Sequence, residues 1–117
     1  MVVTYKGLRG SNGCIVSAVD ERGKHRPLPL RLDLDNHSPT GFEWGYAGSG
    51  PAQLALAILA DALGDDERAQ RLHQKFKGKF VQNWDKDSWA MPAANVRMWA
   101  SLQGEIRDAG IPDRDSD

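Results

Sequence analysis

The stretch Gly48-Ser49-Gly50-Pro51-Ala52-Gln53-Leu54-Ala55-Leu56-Ala57-Ile58-Leu59-Ala60-Asp61-Ala62-Leu63-Gly64 decides the fold. Pro51 suits the first position of a helix, where its missing N–H has no intrahelical partner to lose. Gly64 suits the left-handed residue that ends one. Between them only Gln53 and Asp61 are polar. A helix apolar nearly all round is buried on most sides, so residues 51–63 predict the central core helix. Ala57 and Ala60 leave room for another element to approach it.

Upstream of that helix the sequence reads as strands. Residues 2–8 mix β-branched and aromatic side chains, as strands prefer. Gly10-Ser11-Asn12-Gly13 reads as a turn, residues 14–19 as a second strand, and residues 21–24 as a second turn. Leu28, Leu30, Leu32 and Leu34 alternate with polar residues or proline, the period of a half-buried strand. Pro27 and Pro29 confine that strand to a sheet edge. Phe42-Glu43-Trp44-Gly45-Tyr46 alternates again and reads as a fourth short strand with three rings on one face.

Downstream the pattern is helical. Asp65 is placed to cap a second helix whose first turn carries Asp66 and Glu67, where the dipole favours acids. Leu72, Phe76 and Phe80 form its buried stripe. A loop is expected over residues 83–91, then a third helix over 92–109 with Val96, Trp99, Leu102 and Ile106 inward. Strands first and helices after predict an α+β fold, a small antiparallel sheet of three or four N-terminal strands packed against about three C-terminal helices. The chain has 117 residues. That length fits one domain, read as residues 1–112 with a disordered polar tail at 113–117. A charged fraction of 26% and a net charge of −1 exclude collagen-like, membrane-spanning and wholly disordered chains. Cys14 is the single cysteine, so no internal disulfide can form, and its apolar neighbours mark it as a small buried hydrophobe. No secretory signal is evident at Met1 to Tyr5, which points to the cytoplasm.

Chemistry concentrates in residues 37–51, where four glycines and three aromatics lie just before the core helix. Gly45 and Gly50 have the spacing of a phosphate loop, but Pro51 and Ala52 replace its Lys and Ser/Thr. Gly48 and Gly50 begin a dinucleotide fingerprint, and Gln53 breaks it. A helix N-terminus still offers free N–H groups to an anion, which makes Glu43, Trp44, Tyr46, Gly48, Ser49 and Gly50 the candidate ligand-binding residues. The competing explanation, which the sequence favours, is a tight strand-to-helix turn packed under aromatics. A carboxylate among rings, as at Glu43, would have a raised pKa and could act as a general acid or base. The preferred alternative has Glu43 accepting hydrogen bonds from the N–H groups of the glycine loop.

Two further features carry charge. Residues 68–82 hold five cations and no acid, whereas residues 33–67 hold seven acids and no cation. Arg68, Arg71, Lys75 and Lys79 are therefore candidates for a protein partner or for self-association. Nucleic acid, which Trp84 and Trp89 could stack, fits poorly with a pI near 6.3. Asp33, Asp35 and His37 would share one face of an extended segment and could ligate a hard cation. The leucines on the other face make a solvent-facing strand end the preferred reading, so no metal and no cofactor is expected. Neither His25 nor His73 has a sequence-near partner that makes a triad, and no catalytic residue stands out.

The run Gly41-Phe42-Glu43-Trp44-Gly45-Tyr46, followed by Gly48-Ser49-Gly50-Pro51-Ala52-Gln53-Leu54-Ala55, resembles the signature of a family of unknown function. The resemblance extends from Tyr5-Lys6-Gly7 to the helix bearing Trp99. It implies short single-domain proteins of bacteria, phages and plasmids, and supplies no activity, cofactor or catalytic residue. The expected function is a small cytosolic accessory protein, a non-enzymatic binding module for a protein partner or a small anionic ligand. The alternative is a small enzyme acting on a nucleotide or other phosphorylated ligand at residues 45–51.

Overall fold

The computed structural model describes residues 2–103. Its element order is strands β1 (Val3–Gly10), β2 (Gly13–Asp20) and β3 (His25–Pro27), helices α1 (Ser49–Leu63) and α2 (Asp66–Lys79), a 3-10 turn (Val81–Asn83), strand β4 (Ser88–Pro92) and helix α3 (Ala93–Ser101). The fold is α+β, an antiparallel four-stranded sheet in the order β3-β2-β1-β4 with the helices packed on one face.

The β1–β2 hairpin follows from its turn. Gly10 faces Gly13 across the two-residue loop, and Gly13 takes φ 108°, a conformation that glycine enters without strain. Tyr5 then pairs with Ala18 and Gly7 with Val16 on the buried face, while Leu8 and Ile15 oppose each other on the outer face. β4 joins the far side of β1, with Tyr5 opposite Met91 and Gly7 opposite Trp89. Its alternation of Trp89 and Met91 is only five residues long and runs straight into a helix, which is why residues 83–91 look like a loop in the sequence. Gly7 is required here. A Cβ at that position would lie 2.3 Å from the Trp89 indole nitrogen, so only a bare backbone lets the ring cross the strand.

Helix α1 is as its composition demands. Every residue from Gly50 to Ala60 is buried, and Gly64 closes the helix at φ 61°. Asp65 caps α2 by accepting from the Arg68 N–H. Leu72 and Phe76 are buried and Phe80 half-buried, and Phe76, Phe80 and Trp99 meet edge to face across α2 and α3. Leu102 departs from the predicted stripe. It caps α3 and is 74% exposed. Ile106, the remainder of the span 92–109 predicted for the third helix, and the segment 113–117 lie outside the described residues.

The largest departure is the long connection between β3 and α1. Residues 28–34 are not a strand. Pro27 and Pro29 withhold ladder donors, so only the Leu28 N–H continues the pairing, to the Val16 carbonyl. Arg31 then takes φ 59° and reverses the chain, held by Asp33 and Asp66. Leu28 is buried and Leu32 exposed, so the leucines do not share a face. Residues 42–46 are no strand either. Gly45 turns at φ 92° and donates to the Val81 carbonyl, which buries Trp44 (1% exposed) and leaves Tyr46 half outside (51%).

Candidate functional site

The approach to α1 makes a polar cleft of about 370 Å³. One wall is the β1–β2 turn with Asn12 and Cys14, and the other carries Ser38, Thr40 and Glu43. Tyr46, Ser49 and Gly50 lie where α1 begins. Gly48 is the N-cap, and among the described residues no side chain caps the helix there. The Tyr46 ring crosses the glycines. A Cβ on Gly48 would lie 2.4 Å from that ring, and one on Gly50 would lie 2.7 Å from the Glu43 Cβ. Of the six candidate residues, Glu43, Tyr46, Ser49 and Gly50 line the cleft. Trp44 is core, and Gly48 lies under the tyrosine.

Glu43 does not match its general-acid reading. Arg9, on β1, donates to the Glu43 carboxylate at 2.8 Å and to the Trp44 carbonyl at 3.0 Å, while its other nitrogen reaches Asp87 at 2.9 Å. Its guanidinium lies 4.6 Å from the centre of the Trp44 ring. Partial burial pushes the Glu43 carboxyl up, but bonds from Arg9, Cys14 and the Trp44 N–H outweigh that and hold it below the ordinary glutamate range. It is therefore an ionised acceptor at neutral pH. Burial and the Glu43 charge push the Cys14 thiol up, consistent with an unreactive side chain.

A second assembly was visible in the sequence only in part, through Asp35 and His37. Gln53 is fully buried in α1 and fills all four of its hydrogen-bonding capacities with backbone. Its oxygen accepts from the N–H groups of His37 (2.7 Å) and Ser38 (2.9 Å). Its nitrogen donates to the carbonyls of Leu30 (2.7 Å) and Asp35 (3.0 Å). Gln70 of α2 adds a bond to the Leu34 carbonyl at 2.7 Å. These bonds press the 30–38 segment onto the helices and bring His37 against His73 of α2, Nε2 to Nε2 at 2.9 Å. Asp35 Oδ2 lies 3.3 Å from the same His37 nitrogen. Asp33 takes no part, being paired with Arg31. The sequence signal for this assembly was Gln53 itself, a polar residue in a helix with no exposed face to put it on.

The cationic residues Arg71, Lys75 and Lys79 lie on the exposed face of α2, with Arg68 half-buried beside them. Arg71 pairs with Glu67 one turn earlier at 3.7 Å. Trp84 and Trp89 stack on each other at 4.3 Å, and Trp89 meets Trp44 edge-on. Their faces are thus engaged with each other and with the core.

Among the described residues no helix is long and apolar enough to cross a membrane. The family described as "Family of unknown function (DUF6166)" matches residues 5–102. No curated protein and no solved structure matches the chain.

Proposed function

The chain belongs to this family of unknown function, and from that premise we propose that it is a cytosolic, non-enzymatic binding module that takes a small anionic ligand in the cleft at the start of α1. The observation that carries this reading is a fifteen-residue helix whose N-cap, Gly48, has no side-chain cap, beside a cleft lined by Thr40, Tyr46 and Ser49. Helix N–H groups and the positive end of the dipole favour an anion, and the hydroxyls add donors around it. Glu43, neutralised by Arg9, restricts the ligand to one that sets its anionic group on the helix and a donor toward the carboxylate. A Glu43 held ionised is no proton donor at neutral pH, and its carboxylate is already engaged by Arg9 and the Trp44 N–H, which supports a binding role for it. A protein partner would instead meet the cationic face of α2. The resemblance to phage and plasmid proteins supports a role as an accessory factor acting on a host system.

Thermal unfolding with inorganic phosphate and with nucleoside phosphates tests the reading. A ligand at about a hundred times its Kd should raise the Tm by on the order of 10 °C. Ser49→Glu places a tethered carboxylate at the helix start. It should stabilise the free protein slightly and abolish the ligand's effect. A wild-type Tm indifferent to every phosphate, or a shift that survives Ser49→Glu, would sink the proposal.

A further inference from the structure

We propose that Asp35, His37 and His73 form a binding site for a divalent transition metal of the zinc type, separate from the cleft reading and independent of it. The three ligand atoms all lie within 4.8 Å of one another. The two imidazole nitrogens are 2.9 Å apart, and His37 Nε2 is 3.3 Å from Asp35 Oδ2. Tetrahedral bonds of about 2.0–2.1 Å place neighbouring ligand atoms about 3.3–3.4 Å apart; the His37–Asp35 spacing already matches, and the two imidazole nitrogens reach it by moving apart about 0.4 Å. Two imidazoles with a carboxylate select zinc-like metals over calcium or magnesium, which take oxygen ligands.

The surroundings orient the ligands as a metal would need. His73 Nδ1 lies 2.8 Å from the Gln70 carbonyl, an acceptor only, so that nitrogen carries the proton and the Nε2 lone pair faces His37. His73 is 5% exposed, so the surrounding core fixes the place of its ring. Gln53 fixes the backbone on both ligand positions of the loop, at the Asp35 carbonyl and the His37 N–H. In the metal-free protein a proton on His37 Nε2 is shared toward the His73 nitrogen and the Asp35 oxygen. A metal takes its place, and His37 then binds through Nε2 as the neutral tautomer with its proton on Nδ1. The Asp35 side chain is half exposed, which gives an entry path and leaves remaining coordination positions to water.

Calorimetric titration of the chelator-stripped full chain with zinc chloride is the test. One ion per chain should bind, and Co(II) should give visible d–d absorption. His37→Ala should weaken zinc binding on the order of 100-fold and Asp35→Asn about tenfold, since even indirect ligand contacts are worth 10–100-fold. His25→Ala, on exposed β3, should leave it unchanged. Circular dichroism establishes that each variant is folded. Should His37→Ala fail to fold, Asp35→Asn alters only a half-exposed side chain and decides the matter. The proposal is overturned if zinc does not bind, if folded His37→Ala or Asp35→Asn binds as tightly as the wild type, or if His25→Ala abolishes binding.

Discussion

Helix α1 and the chain that leads into it are held by opposite means. From Gly50 to Ala60 the helix is buried on every side, and its stability is spread over many apolar contacts. Residues 28–48 form no regular element; Leu28 and Trp44 anchor them in the core, and between these anchors discrete polar bonds hold the path: Gln53 to four backbone groups, Arg31 to Asp33 and Asp66, Arg9 to Glu43 and the Trp44 carbonyl. Where burial is diffuse, a change in one side chain is felt globally. Where a few bonds hold a segment, removing one frees that segment alone. Both candidate sites depend on the second kind of region.

The largest effect should come from the first kind. Leu59→Ala should lower global stability by about 2–5 kcal/mol, read by denaturant unfolding with an unchanged m-value. A loss below about 1 kcal/mol would contradict a tightly packed α1. Gln53→Leu preserves approximate size but strands four backbone groups. We expect a loss of about 2–3 kcal/mol, with hydrogen exchange at His37 and Ser38 accelerating well beyond that of α1. Equal acceleration throughout would erase the distinction between the two regions.

The smallest effect probes the other polar residue of α1. Asp61 accepts from the Tyr5 hydroxyl at 2.6 Å and takes both Arg26 nitrogens at 2.9 and 3.0 Å, tying the helix to β1 and β3. Burial pushes its carboxyl up, but Arg26 and Tyr5 outweigh that and bring it below its ordinary 3.8. A depressed carboxyl stabilises the fold fully above the unfolded value, and that contribution is lost as pH falls through the folded one. Asp61→Asn should therefore lose about 1–2 kcal/mol at pH 7, and its unfolding curve should converge with the wild type's in strong acid. Curves that stay parallel from pH 7 to pH 2 would place the stabilisation elsewhere.

The legibility of the sequence divides along the same line. The hairpin, α1 and the capped α2 were readable because period, turn glycines and caps are local signals. Leu28 to Leu34 misled because alternation states which side chains could share a face, not whether prolines leave donors for a ladder. β4 escaped because pairing with β1 is a long-range choice. Of the cleft residues, Glu43, Tyr46, Ser49 and Gly50 were legible from the glycine–aromatic run. Arg9 as the partner of Glu43 and His73 as the neighbour of His37 were not, since 34 and 36 residues separate those pairs.

The hydrogen bonds of Gln53 to the 30–38 segment all go to main-chain atoms, at Leu30, Asp35, His37 and Ser38. Every amino acid presents the same carbonyl, and all but proline the same N–H. The anchor is thus blind to which side chains the segment carries. Mutation can rewrite the chemistry displayed there while the backbone path stays put. A single glutamine so separates where the loop sits from what it says, except at Arg31 and Leu34, whose own side chains help to hold the path.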